Sequence, residues 1–242
     1  NNTCIGDYAA IYVRESPSSL VINNTCESSH NGIHISTSQS SIVTHNTINV
    51  ITGLTGIQGL WIYYSHFTNA TFNKCTEYLY SMFVLGSDSC NILNNELSYG
   101  SDSCIYLYES NQNTINNNTC TNGLKGITLF SSSNSFFIYN LLQDNTEQGI
   151  VITSTSSTDN SIYHNTFKDN NLGGISQAYD NGTNNLWYNV SLTSGNYWSD
   201  WAGAGGYLID GYAGSVDLFP LGVPIVPIIS EFQYQTIFTT LI

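Results

Sequence analysis

An asparagine recurs about every 22 residues along this chain, and that period restricts what the chain can fold into more than any other feature. The positions are Asn2, Asn24, Asn46, Asn73, Asn95, Asn118, Asn140, Asn165 and Asn189. Two residues later stand Cys4, Cys26, Ile48, Cys75, Leu97, Cys120, Leu142, Phe167 and Ser191. About nine to ten residues after most of these asparagines comes a short apolar alternation, at residues 11–13, 33–35, 60–62, 83–85, 105–107, 127–129 and 150–152, with a weaker copy at 175–177. Another apolar residue precedes most of the asparagines by three positions, as in Val21, Val43, Ala70, Ile92, Ile115, Phe137 and Ile162. Self-similarity at a fixed short period marks a solenoid.

The period selects the kind of solenoid. A 22-residue unit is too short for a helix pair, and the alternation inside it has the period of two expected of strands. The L-x-x-L-x-L pattern of leucine-rich repeats is missing. Short β-branched and aromatic runs between Ser, Asn, Gly and Thr clusters fit three strands per turn of a parallel β-helix. The expected fold is all-β: a right-handed parallel β-helix of about eight coils. The coils occupy residues 1–191, a Trp-rich cap 192–221, and an extended apolar tail 222–242. Insertions fall at residues 50–59 and 156–160, where the spacing lengthens. The stacked Asn side chains, from Asn24 to Asn165, are expected to form a structural ladder that pairs turn backbone along the axis.

Charge excludes some partners. Lys and Arg number 4 against 17 Asp and Glu, a net charge of -13. A nucleic acid needs cationic contacts to its phosphates, and an anionic membrane surface needs a basic patch. N-x-Ser/Thr sequons at Asn1, Asn23, Asn69, Asn117, Asn181 and Asn189 fit an extracellular, glycosylated surface protein. The chain opens inside a repeat, so the first coil is expected to expose strand edges. The six Cys do not read as a disulfide framework. Cys4, Cys26, Cys75 and Cys120 share one inward position with Ile, Leu and Phe, as buried thiols filling core slots. No C-x-x-C or paired-His spacing supports a metal, and no cofactor is expected.

At the C-terminal end, Trp187, Trp198, Trp201 and Phe219, with Tyr207, are the bulky residues available to close the last coil. The tail has two prolines after Gly222 and then an apolar run to Ile242. It reads as a docking strand or as the start of a surface anchor.

The repeat core resembles the archaeal and bacterial β-helix proteins of the NosD-like group, within the pectin-lyase-like superfamily. The N-T-I-x-N-N unit stands at residues 113–118. The closing G-N-Y-W-S-D-Y and S-V-D-x-x-P-L blocks stand nearly intact at 195–201 and 215–221. The resemblance implies a right-handed β-helix in an exported protein. It implies less about function: NosD is associated with assembling a copper enzyme, while most look-alikes are surface proteins of unknown role. The Asp/Gly-rich stretch usual between the closing blocks is reduced here to residues 201–206, which weakens a family-type calcium site.

Chemistry-bearing residues are sparse. A pectate lyase needs clustered acids and an Arg base, but Arg14 is the single Arg and has no Asp cluster around it. A glycoside hydrolase needs facing carboxylates. Asp144 and Asp169 share a repeat offset, and solvated turn acids explain them as well. The five His do not form a metal pair. Two outward aromatic columns stand out: Tyr12, His34, Trp61, Val84 and Tyr106, then Arg14, Tyr63, Tyr108 and Phe130. They are expected to form an exposed interface or glycan platform. The leading expectation is a non-enzymatic structural or adhesive protein at the cell surface, the subunit of a head-to-tail filament whose tail packs on the next copy. The alternatives are a carbohydrate-binding or carbohydrate-cleaving β-helix and, from the resemblance, a copper-enzyme accessory factor. Partners are the chain itself, other surface proteins or glycans.

Overall fold

The computed structural model describes residues 2–225. The sequon at Asn1 and the tail at 226–242, on which the filament and anchor expectations rest, lie outside the described residues.

Among the described residues, three parallel sheets of nine, eight and seven strands wind into a right-handed β-solenoid of about eight coils. A two-stranded antiparallel pair, Tyr207–Leu208 with Val216–Asp217, follows it. Each of the first seven coils sends one strand to each sheet, and each strand pairs with its counterparts one coil away. The second coil, for example, contributes Thr25–Ser28, Asn31–Ser36 and Ile42–Thr44. No helix among the described residues is long and apolar enough to cross a membrane.

Alternation along each strand turns every second side chain inward. On the eight-stranded sheet, Ile33, Leu60, Met82, Ile105, Ile127 and Ile150 form one inward column, and Ile35, Ile62, Val84, Leu107, Leu129 and Ile152 the next. All of them are fully buried. On the nine-stranded sheet Cys26, Ile48, Cys75, Leu97, Cys120, Leu142 and Phe167 are equally buried. Cys4, in the first coil, is only half-buried because a single neighbouring coil covers it. All six thiols are free. Cys90 and Cys104 occupy other buried positions: Cys90 stands at a corner, and Cys104 takes a place that adjacent coils give to Ser81 and Gly126.

The Asn ladder makes one corner of the solenoid. From Asn24 to Asn165 each side-chain Nδ2 donates to Oδ1 of the next Asn at 2.9–3.1 Å. The same oxygen also accepts the backbone N–H, as Asn140 Oδ1 does from Asn118. A second Nδ2 proton reaches a carbonyl of the preceding corner, as from Asn118 to Ile92. The residue before each ladder Asn is left-handed, with φ of 53–58° even at Phe72 and Tyr139. That conformation costs an ordinary residue about 1–2 kcal/mol, and the saturated ladder behind it holds it in place. The ladder ends on Asn196, not Asn189: Asn165 Nδ2 donates to Asn196 Oδ1 at 2.9 Å. Asn189 instead closes a local turn, its backbone paired with Ser194. Ser and Asn ladders at other corners repeat the device, as from Ser65 N–H to Ser87 Oγ and from Asn145 Nδ2 to Asn170 Oδ1.

Two local expectations shift by one to three residues. The fourth apolar alternation is centred on Phe83, so Phe83 faces outward and Val84 inward. The last strand of the eight-stranded sheet is Ala178–Asp180, while Ile175 is 84% exposed. In both places an apolar residue occupies an outward position, which a pattern of two cannot distinguish from a change of register.

The cap is an aromatic pile on the open end of the core. Phe167 stacks on Trp198 at 4.0 Å, and Trp198 on Tyr207 at 4.0 Å. Trp187 lies buried beside them, and Trp201 packs against the core from its edge. Phe219 is not part of the pile. It is 38% exposed and rests edge-on against Tyr188, while its backbone N–H is held two residues back by Asp217 Oδ1 at 3.0 Å.

Candidate functional site

The outward face of the eight-stranded sheet holds the aromatic columns. Register brings Tyr12, His34, Trp61, Phe83 and Tyr106 into one line, continued by Thr128, Val151 and Tyr179. The rings stack on one another along the axis. Centroids are 4.6 Å apart for Tyr12 and His34, 4.0 Å for His34 and Trp61, 6.3 Å for Trp61 and Phe83, and 5.3 Å for Phe83 and Tyr106. Parallel strand spacing of about 4.8 Å is near the thickness of a ring stack, so one ring per coil makes a continuous pile.

The stacking corrects the expectation of bare aromatic faces. Trp61, Tyr63, Tyr106, Tyr108 and Phe130 are half-buried, and of the expected platform residues only Tyr12 is exposed. The face presents ring edges and tyrosine hydroxyls. Tyr108 stacks on Phe130 at 4.9 Å in the second column, and Tyr63 lies edge-on to Trp61 at 5.2 Å. The hydroxyls of Tyr12, Tyr63, Tyr80, Tyr106 and Tyr108 make no hydrogen bond among the described residues. Burial raises Tyr106 to about 12 and raises Tyr80 as well, with Tyr80 and Asp102 adding to the shift at Tyr106 and Asp102 to that at Tyr80. Both phenols therefore stay protonated donors at neutral pH.

His34 lies inside this pile, 3% exposed between Tyr12 and Trp61. Burial lowers its pKa to about 4, so the ring is neutral at pH 7. Among the described residues neither ring nitrogen has a hydrogen-bond partner, and neither do the buried side-chain amide of Asn31 and the indole nitrogen of Trp61.

Further along the same sheet, three charged side chains converge. Lys125 Nζ lies 3.7 Å from Asp102 Oδ1 and 3.6 Å from Glu147 Oε2. Ser103 Oγ–H donates to the same Asp102 oxygen at 2.8 Å. Sequence reasoning missed this cluster, although its signal was present: Asp102, Lys125 and Glu147 each stand seven residues after a ladder Asn. A search for acids in adjacent coils passes over two acids with a lysine between them. Asp144 and Asp169, by contrast, are left-handed corner residues with φ of 56° and 55°. The Asp144 carboxylate accepts a bond from the neighbouring Gln143 Nε2, and that of Asp169 one from Ser199 Oγ, 30 residues on. The sequon residues Asn23, Asn69, Asn117, Asn181 and Asn189 lie at least partly exposed, in turns or at strand edges.

A family model described as "Periplasmic copper-binding protein (NosD)" matches residues 1–203. No curated protein matches the chain. Among solved structures, the periplasmic alginate epimerase AlgG is similar with a TM-score of 0.60 and 18% identity, over 87% of this chain and 49% of that one. A mutant of AlgG gives 0.56 and 20% identity over 68% of this chain and 38% of that one. The A-module of mannuronan C-5 epimerase AlgE4 from Azotobacter vinelandii gives 0.53 and 13% over 95% and 78%. The chain thus spans about half the length of AlgG or less. At these identities the likeness carries the fold. It also overturns the expectation of a non-enzymatic protein, because that expectation read the sparse acids as a scaffold without chemistry, whereas these neighbours are enzymes built on the same β-helix.

The family description names copper. Among the described residues no three His, Cys, Asp or Glu side chains are grouped so as to hold a metal ion. Tyr8 stacks on His30 while Tyr12 and Trp61 enclose His34, and most of the thiols are sealed in the core. The described residues do not fit a copper site.

Proposed function

We propose that this chain, which belongs to the NosD family, is an exported, envelope-exposed β-helix that binds polysaccharide along the outward face of its eight-stranded sheet. The observation that carries the reading is the line of stacked rings from Tyr12 to Tyr106, with five tyrosine hydroxyls in and beside it that have no hydrogen-bond partner among the described residues. A sugar ring has apolar C–H surface and a hydroxyl rim. Ring edges and phenols in alternation offer partners to both. The sheet repeats every coil, which suits a polymeric ligand lying along the axis. The periplasmic placing of the family and of AlgG supports export, and the epimerase neighbours support a polysaccharide as the ligand.

The test is affinity electrophoresis of the whole chain through gels containing a panel of polysaccharides. Wild type is expected to be retarded by at least one, and Trp61→Ala and Tyr106→Ala to migrate more freely there. Incubating the retarding polymer with protein and analysing it by NMR reports whether it is also processed. If no polymer retards wild type, or the two variants are retarded as strongly as wild type, the reading fails and a protein partner becomes the better account of the face.

A further inference from the structure

The ring column stops at Tyr106. The next position in the column is Thr128, and the face of Tyr106 turned away from Phe83 carries no ring among the described residues. Beside this step lies the cluster of Asp102, Lys125 and Glu147. Both ion pairs, at 3.7 and 3.6 Å, exceed direct hydrogen-bond length, so the ammonium keeps its donors available. Asp102 Oδ2 and Glu147 Oε1 accept no hydrogen bond among the described residues. Ser103 Oγ and Thr128 Oγ1 are bonded to each other at 2.8 Å beneath the cluster and fix its floor. A flat ring, two carboxylate acceptors and one ammonium donor thus meet at one step of the sheet.

The charge balance selects the ligand. Two carboxylates face one ammonium here. The other cation on this face, Arg14, is taken by Glu15 at 3.0 Å. The two carboxylates outnumber the ammonium, so the cluster has no net positive charge to compensate an incoming carboxylate, and the whole chain carries -13. A polyuronate such as alginate would approach against this field. Hydroxyl groups would not, and vicinal hydroxyls can donate to a carboxylate while accepting from an ammonium.

We infer that the step formed by Tyr106, Thr128, Asp102, Lys125 and Glu147 is the specificity-determining subsite of this face, and that it takes a neutral sugar residue and rejects uronates. The inference rests on the polysaccharide-binding reading and narrows it to one ligand class. The sugar stacks on the terminal ring of the column, and its hydroxyls bridge the carboxylates and the ammonium. The neighbouring epimerases, named for alginate and mannuronan, would then share the coil but not the ligand class.

The test compares neutral mannan, neutral β-glucan and alginate by affinity electrophoresis and calorimetry. It uses the whole chain, its Asp102→Asn/Glu147→Gln variant and its Lys125→Met variant. Wild type is expected to bind at least one neutral polymer and to bind alginate at least tenfold more weakly. The double variant is expected to lose tenfold or more on the neutral polymer, with an unchanged thermal midpoint, and to narrow the gap to alginate. Lys125→Met is expected to lose neutral-polymer affinity without gaining alginate. Alginate bound as well as the neutral polymers overturns the inference. So does a double variant that keeps full neutral affinity while Trp61→Ala loses it, and in that case the broader reading survives. Wild type binding no polymer removes both.

Discussion

The indole Nε1–H of Trp198 donates to Oδ2 of Asp217 at 2.9 Å across the end of the solenoid. The same oxygen accepts the backbone N–H of Asn196 at 2.7 Å, and Oδ1 accepts that of Phe219 at 3.0 Å. A mirror of this arrangement stands nearby, where Trp187 Nε1–H donates to Asp180 Oδ2 at 2.9 Å. Each carboxylate places a tryptophan on the open end of the core. Asp217→Ala should leave the Trp198 and Asn196 donors unpaired in a buried site and cost about 2–4 kcal/mol. The near-ultraviolet dichroism of the Trp pile should melt earlier than the β-sheet signal at shorter wavelength. Coincident and unshifted melts of both signals would refute this account of the cap.

The middle of the Asn ladder should be less tolerant than its end. Asn118 accepts two bonds from Asn95 and donates to Asn140 and Ile92. Asn118→Ala removes all of them inside the solenoid and should cost about 3 kcal/mol. Asn118→Asp should be worse, because it sets a carboxylate oxygen against Asn140 Oδ1. Asn24→Ala, where one side of the ladder is the first coil, should cost about half as much. Denaturant midpoints of the three variants check the order.

Legibility followed repetition. The ladder and the inward columns were readable because every coil enforces the same residue at the same place, and the physical demand there is identical each time. Val84 was misplaced outward because in its coil Met82, Phe83, Val84 and Leu85 are all apolar, so the alternation disappears although the geometry does not change. Asn189 was counted in the asparagine period on spacing alone, while Asn196, which receives the end of the ladder, lies 31 residues after Asn165 and outside any fixed period. Ring stacking was hidden for a different reason: strand register says which rings are neighbours, but only packing decides whether they meet face to face or stand bare. The Asp102, Lys125 and Glu147 column was readable at a constant offset and was lost to a search that treated acids and bases separately.

The thiols should react in an order set by coil coverage. Cys4 is half-buried at the first coil, while Cys75, Cys90, Cys104 and Cys120 are fully buried. Burial pushes the Cys26 and Cys90 thiols up to about 12 and Cys75 and Cys120 well above the usual range. An aromatic disulfide reagent at pH 8 should label Cys4 first and leave the other five until the chain unfolds. Cys75→Ser should bury a hydroxyl beside Ile48 and Leu97 and cost about 1–3 kcal/mol. Prompt labelling of Cys75 in the native protein, located by peptide mass analysis, would contradict the register.

His34 should give the solenoid an acid-sensitive coil. Its ordinary pKa is 6.5, and burial lowers it to about 4 in the folded chain. Above pH 6.5 the ring is neutral in both states and makes no pH-dependent contribution. As pH falls from 6.5 to about 4, the unfolded chain takes up the proton and the folded chain resists it. Stability therefore declines across that window, by up to about 3 kcal/mol, and levels off below it. Asp217 works in the opposite sense. Burial raises its pKa despite the donors around it, so it favours the fold at low pH and loses that contribution as pH rises through its folded value. The two are separated by comparing wild type with His34→Phe, which keeps a ring between Tyr12 and Trp61 and removes the titrating nitrogens. The variant should match or exceed wild type at pH 7, since two unpaired buried nitrogens are gone, and its advantage should widen toward pH 4. A His34 ring that titrates near 6.5 by NMR, or a variant with the same pH slope as wild type, would place the imidazole in solvent and dissolve the stacked column at its centre.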